Sequence, residues 1–336
     1  MTVVAAIAHA LPEQVVTNGD LERDHPSWDM ERVFARSGIR SRRVAAFGET
    51  ALDLSLVACE SLIRETGLDP GTLDAILYCT QTADYPMPGN AHVVHGRLGL
   101  PNSVLAFDYN LGCSGYVYGL AIADALVAGG LAREILLVTS ATYTKTLNPL
   151  DRSTRALLGD GAAVTYVSAS ATDGGRVVAA ELCSSGEALE LAWIPGGGAR
   201  LPDGEEARRE QADASGNVRS ALDMHMDGPG VWRLANSVLP GHVRDFLATR
   251  SLTVDDIDLF VFHQASKMVL DSMARALRIP REKVYTRLED VGNLSAASIP
   301  YALSGAIEEG AIRPGDRVLL CAMGAGLSYG SVLLQY

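Results

Sequence analysis

Two stretches decide the architecture: GLDPGTLDAILYCTQ at residues 67–81 and SLTVDDIDLFVFHQ at residues 251–264. Each runs from a short turn through an aspartate into an apolar, β-branched and aromatic run, the pattern of a buried strand. Aligning Asp74 with Asp258 sets an offset of 184 residues. A second pair, ALVAGGLAREILLVTSA (125–141) and AIEEGAIRPGDRVLLCAMG (306–324), reads in both copies as helix end, glycine, charged turn and strand. Matching Ile135 with Val318 there gives an offset of 183. Two separate pairings at nearly one offset indicate an internal duplication, with halves at 1–170 and 171–336. Helical stretches such as ALDLSLVACESLIRETG (51–67) and SKMVLDSMARAL (266–277) alternate with the strands. That alternation predicts a layered α/β protein with largely buried sheets.

The bulk numbers exclude several classes. A chain of 336 residues with 48% hydrophobic and 20% charged residues can bury a large core and has ordinary soluble composition. A net charge of −12 disfavours nucleic acid and anionic membranes as partners. The opening MTVVAAIAHALPEQVV has no basic segment and reads as a strand and a turn, not a leader peptide. Tyr116 to Leu131 is the least polar stretch; interrupted by Asp124 and too short to span a bilayer, it predicts a helix buried on all sides. The five cysteines show no zinc spacing, and their odd number points to reduced thiols in the cytoplasm. The polar, glycine-rich segment 195–217 predicts a long mobile loop, either a lid or an inert insertion.

Chemistry concentrates where strands turn into helices. Cys113 lies in NLGCSGYVYGL (110–120), between the strand-like LAFDYN and an apolar run of helical length. At such a junction, unsatisfied N–H groups and the positive end of the helix dipole favour a thiolate, so this cysteine is expected to have a lowered pKa. Cys59, Cys79 and Cys321 lie within apolar runs and read as core; Cys183 lies in a polar, loop-like segment without a partner. His263 ends the strand-like IDLFVFHQAS, at a position the duplication places opposite Cys79. Carboxyl ends of strands are where α/β proteins gather their sites. Asn293 lies in VGNLSAASIP, a small-residue turn leading into a helix, and MGAGLSYGSVLLQY closes the chain with a glycine turn able to aim N–H groups at an oxyanion.

GCSG, FHQA, GNLSAASIP and GAGLSYGSVLL, in this order and spacing, resemble the ketoacyl synthase III branch of the thiolase-fold condensing enzymes. LPEQVVTN, ARSGIRSRR (35–43), DRSTRALLGDGAAV (151–164) and IRPGDRVLL (312–320) extend the resemblance over essentially the whole chain. It implies a five-layered αβαβα thiolase fold of two pseudo-duplicated halves and a homodimer. It also implies that Cys113 takes an acyl group from acyl-CoA or acyl carrier protein, that His263 and Asn293 stabilise the enolate of a decarboxylating malonyl-type thioester, and that the Cys113 and Ala325 N–H groups form the oxyanion hole. The thioester, on coenzyme A or phosphopantetheine, supplies the activation, so no resident cofactor or metal is implied. Arg36 and Arg152 match coenzyme A-contacting arginines; Arg32 and Lys267 are further carrier-binding candidates, and Met87 and Leu327 candidates for the acyl pocket.

The chain departs from the family pattern at several of these points. Arg32 replaces an adenine-stacking tryptophan, Met268 a carrier-docking arginine, and Met87 a phenylalanine that lines the dimer partner's acyl pocket. The terminal GGGFTWG becomes GAGLSYG. These changes point to a specialised secondary-metabolite synthase. The rival enzyme on this fold is an acyltransferase that passes the acyl group to an alcohol or amine without decarboxylation. A thiolase would need Cys321 as a second catalytic thiol, and a hydroxymethylglutaryl synthase a glutamate where Thr80 and Gln81 stand. A catalytically silent subunit would be expected to lack Cys113.

Overall fold

The two aspartates that mark the repeat make the same contact. Asp74 Oδ2 accepts the Arg133 and Glu134 N–H groups at 2.8 and 3.1 Å, and Asp258 Oδ2 accepts the Arg317 N–H at 2.8 Å. Each carboxylate ties the start of one strand to the start of its parallel neighbour, which holds the register. The computed structural model describes residues 1–336. Its main sheet has nine strands: β1 (Val3–Ala10), β2 (Ala75–Cys79), β3 (Leu105–Tyr109), β4 (Glu134–Ala141), β5 (Gly161–Ser168), β6 (Gly175–Ser184), β7 (Leu259–Phe262), β8 (Arg317–Gly324) and β9 (Ser328–Gln335). They lie in the order β7-β8-β9-β6-β1-β5-β4-β2-β3. Ala75 pairs with Ile135 and Leu259 with Val318, both in parallel, so the pairing repeats at the offset seen in the sequence. The counterpart of β3 in the second half is reduced to one bridge, Phe260 with Val284. The two halves join where β1 pairs with β6 at Val3–Arg176 and Val4–Gly175.

Seven helices cover these strands: α1 (Met30–Ser37), α2 (Ala51–Thr66), α3 (Asn90–Arg97), α4 (Gly115–Ala128), α5 (Gly228–Ala248), α6 (Lys267–Leu277) and α7 (Ser298–Glu308). Alternate residues of a strand face opposite sides, and the core divides accordingly. Ala75 and Leu77, with Leu259 and Val261, pack in one cluster together with α4 and α7. Ile76 and Tyr78 face α2 and α3 instead, while Phe260 and Phe262 face α5 and α6. The order is therefore helices, sheet, helices, sheet, helices, the five layers that the resemblance implies. No helix is long and apolar enough to cross a membrane.

Three expectations need correction. Tyr116, Val117 and Leu120 are fully buried, but α4 outruns the sheets that flank it, and Ala125 and Ala128 are exposed near its end. Cys183 belongs to β6 rather than to a loop, with its Sγ 4.0 Å from His242 Nδ1. The 195–217 segment is pinned: Ala207 is buried, Ala207 O accepts the Ala221 N–H, and Asn148 Nδ2 donates to Glu210 Oε1 at 2.8 Å. The adjoining Arg219 is clamped to the fully buried Asp151 at 2.7 Å.

A clamp between the halves sets the position of Asn293. Its N–H donates to Leu157 O at 2.8 Å, and the Gly159 N–H donates to Asn293 O at 3.1 Å. The approach is close enough that a Cβ on Gly159 would stand 2.1 Å from Val291 O, and Gly292 turns the chain there at φ 79°. Gly159→Ala is expected to destabilise the fold by about 1–3 kcal/mol through overpacking. Denaturant unfolding measures this; an unchanged midpoint would show that the clamp yields freely.

Candidate active site

The two middle helices start at Gly115 and Ser298, again 183 residues apart. The pseudo-symmetry brings their N-terminal ends together. A Cβ on Gly115 would meet Ala296 Cβ at 3.3 Å and Cys79 Sγ at 2.2 Å. Cys113, just before α4, thus meets the turn carrying Asn293 and Ser295, just before α7. Cys113 Sγ lies 3.8 Å from Ser295 Oγ. His263 follows β7 and is anchored by its N–H to Cys321 O at 2.9 Å. The terminal glycine turn closes over the cysteine: a Cβ on Gly324 would stand 3.1 Å from Cys113 N, so glycine is what lets the turn come so near.

Cys113, His263, Asn293 and Ala325 line one cavity of about 500 Å³. The side chains of His263 and Asn293 are each held at one end and open at the other. His263 Nδ1 meets Ser298 Oγ at 2.6 Å, and that hydroxyl also accepts the Gln264 N–H at 3.4 Å. Nδ1 is thus engaged within the protein, and Nε2 is the ring's open end. Asn293 Oδ1 accepts the Ser295 N–H at 2.8 Å, which leaves Nδ2 as the open end. Neither the Cys113 nor the Ala325 N–H donates within the protein. The cavity therefore offers donors and no buried countercharge.

Burial sets the protonation states. His263 is driven down to about 4 by desolvation, so its imidazole is neutral at pH 7. The same effect corrects the expectation for Cys113. Desolvation pushes its thiol up to about 11, against smaller lowering contributions from the Ser295 hydroxyl and its own N–H. The resting sulfur is a thiol, because removal from water outweighs its place at the head of α4.

The candidate binding residues separate by position. Arg36, exposed on α1, lines the cavity, as does Leu327. Arg32 is exposed on the same helix without reaching it, and Arg152 is half-buried beside the lining residue Ser153. Lys267 is paired with Asp271 at 2.5 Å. Met87 is 83% exposed and lies outside this chain's cavity. The arginine-rich stretch is not one surface: Arg40 pairs with Glu289 at 2.5 Å, and Arg42 is buried, with bonds to Val16 O, Asn18 Oδ1 and Ala156 O.

Sequence reasoning passes over Ser295, Ser298, Gln81 and Tyr143. Ser295 holds φ 51°, a costly conformation for a residue with a side chain, and both serines lie inside GNLSAASIP, where they read only as turn and cap. Tyr143 donates its hydroxyl to Gln81 Oε1, Gln81 Nε2 donates to Asn110 Oδ1 at 2.9 Å, and both Gln81 and Tyr143 line the cavity with Cys113. No local motif marks that pair.

Comparison with known proteins identifies the family. Residues 107–186 match the family model for 3-oxoacyl-(acyl-carrier-protein) synthase III, and residues 247–336 match that for its C-terminal part. The chain is 37% identical to beta-ketoacyl-(acyl-carrier-protein) synthase III 3 of Streptomyces coelicolor, over all of this chain and 97% of that one. It is 34% identical to the beta-ketoacyl-(acyl-carrier-protein) synthase III of Brucella abortus, covering 100% and 99% of the two chains. A 2.1 Å crystal structure of a 3-oxoacyl-(acyl-carrier-protein) synthase III superposes with a TM-score of 0.96 at 38% identity, again over 100% and 99% of the chains. With its cysteine, histidine and asparagine gathered in one cavity and its length matched end to end, the chain belongs to the 3-oxoacyl-(acyl-carrier-protein) synthase III family.

Proposed function

We propose that this protein takes an acyl group from acyl-CoA or acyl carrier protein onto Cys113 and condenses it with a malonyl-type thioester, releasing carbon dioxide. One observation carries the reading: Ser298 occupies His263 Nδ1 and the Ser295 N–H occupies Asn293 Oδ1, which leaves two neutral N–H donors for a substrate oxygen. Transfer to an alcohol or amine calls for a general base. Decarboxylation calls for paired donors to an enolate oxygen, and the asparagine presents a donor.

In the first step the Cys113 sulfur attacks the thioester carbonyl while the Cys113 and Ala325 N–H groups hold the oxyanion. The thiol proton ends on the departing carrier sulfur, which leaves as a free thiol, and His263 is neutral before and after the step. The malonyl-type thioester then loses carbon dioxide, and Nε2 of His263 and Nδ2 of Asn293 bear the enolate oxygen. The enolate carbon attacks the acyl-cysteine carbonyl. Collapse of the tetrahedral intermediate forms the β-ketoacyl thioester and returns the Cys113 sulfur, which takes up a proton. The thioester brings the activation, so the chemistry needs no resident cofactor.

Arg36, at the cavity, supplies positive charge for the carrier's phosphates, with Arg32 exposed on the same helix and Arg152 and Lys267 as further candidates. A homodimer fits the exposed edge strand β3. Leu105 there is 36% exposed, and the adjoining segment presents Tyr85 at 51% and Met87 at 83%. Unpaired edge strands of this kind invite pairing with a second chain.

Acylated enzyme given malonyl thioester should release carbon dioxide in step with β-ketoacyl product; acyl transfer to an alcohol or amine without release would overturn the reading. Asn293→Asp keeps the acceptor for Ser295 but replaces the donor with a carboxylate, and decarboxylation should fall about 10²- to 10³-fold. Iodoacetamide alkylation of Cys113 should be slow at pH 7 and rise about tenfold per pH unit toward 11. A rate already flat at pH 7 would show a resting thiolate instead. Decarboxylation should hold its rate down to about pH 5 and fail as His263 protonates near 4.

A further inference from the structure

On the outer face of the sheet, under α5, a second set of reactive side chains meets. Glu181 and Cys183, two residues apart on β6, project to the same side, and His242 of α5 comes down on them. His242 Nδ1 lies 4.0 Å from Cys183 Sγ and 3.7 Å from Glu181 Oε1. The three donor atoms stand within 4.8 Å of one another. None of the three residues lines the cavity that holds Cys113.

Thiol, imidazole and carboxylate around one point form the donor set of a transition-metal centre. Ligand atoms around a tetrahedral zinc stand roughly 3.5 Å apart, so small side-chain rotations close this set. A sulfur and a ring nitrogen suit zinc over magnesium or calcium, which take oxygen ligands. The surroundings orient the ligands. The other ring nitrogen of His242, Nε2, meets Ser331 Oγ at 3.1 Å, so with Nδ1 on a metal the ring hydrogen on Nε2 has an acceptor. The second oxygen of Glu181 faces Arg250 at 3.6 Å, which turns Oε1 toward His242. That guanidinium is itself held by Phe246 O and stacked over the Phe246 ring. On β9, Tyr329 pairs with Cys183 and Ser331 with Glu181, so the site rests on a fixed ladder. One thiolate and one carboxylate cancel the charge of a divalent ion. The Glu181 side chain is 38% exposed, which leaves a way in and room for water as a fourth ligand.

We propose that Glu181, Cys183 and His242 bind one zinc ion per chain, with water completing the tetrahedron. Binding forms the Sγ–zinc bond and releases the Cys183 thiol proton to solvent. The ion ties α5 to β6. Leu239, one turn before His242, lines the catalytic cavity, as do Val231, Leu234 and Ala235 earlier on the helix. The zinc is therefore a clip that steadies a wall of that cavity without touching the reacting groups.

The full chain, stripped with chelator and kept reduced, is titrated with zinc chloride against a chromophoric chelator. Cobalt(II) chloride is titrated in parallel to read the sulfur-to-metal charge-transfer band. One equivalent should bind and give the band. Cys113 is a second thiol beside a histidine, so both titrations are repeated with Cys113→Ala, in which binding should persist. Cys183→Ser should abolish the cobalt band and weaken zinc by at least about tenfold, and Ser331→Ala should weaken zinc by about tenfold. Zinc should raise the melting temperature of the wild type and leave Cys183→Ser unmoved. Melts without metal show that each variant is folded, and His242→Gln, which should also weaken zinc by at least about tenfold, replaces Cys183→Ser if that variant is not. No binding by the wild type, a band that survives in Cys183→Ser, or a band lost in Cys113→Ala overturns the site. Each of these outcomes leaves the condensation reading standing, because Cys183→Ser should retain condensation activity.

Discussion

Everything in this molecule depends on burying α4 and α7 between the two halves of the sheet. Each helix is one copy of the same duplicated unit, and the two begin 183 residues apart at Gly115 and Ser298. Packing them in one layer removes both sets of inner strand faces from water, and it also brings their N-terminal ends together. The hydrophobic effect supplies the drive, and the pseudo-symmetry decides where it leads. Cys113 meets Asn293 and Ser295 because two helices that must share a layer start at the same height.

That packing sets the electrostatics as well. A site buried this deeply favours neutral groups, and burial moves the thiol up and the imidazole down. The molecule works with dipoles instead of fixed charges. Ser298 holds His263 at Nδ1, and the Ser295 N–H fixes the face of Asn293. Donors oriented before substrate arrives need no reorganisation as charge develops. Positive charge is kept outside, on the exposed arginines of α1, where a phosphate can remain hydrated.

Much of the fold was legible because its signals are local. Asp74 and Asp258 stand out in the sequence because each accepts backbone N–H groups from the next strand, and that contact recurs in each half. The buried strands read as continuous apolar runs because both faces are covered. The thiolate expectation failed because a helix terminus is visible in a sequence and desolvation is not. The arginine-rich stretch misled in the same way: Arg36 reaches the cavity, while Arg42 from the same run is a buried structural cation held by carbonyl oxygens. Loop 195–217 reads as mobile because its anchors, Asn148 and Ala221, lie outside it.

By itself the sequence determined the layered α/β class, the duplication and the identity of the cysteine, histidine and asparagine, because periodicity, offset and motif are properties of neighbours along the chain. Only the tertiary structure decided that these three share a cavity, that Ser295 and Ser298 hold two of them, and that burial raises the thiol and keeps the sulfur protonated. Those facts depend on distance and on exclusion of water, and both arise only when segments far apart in the chain pack together.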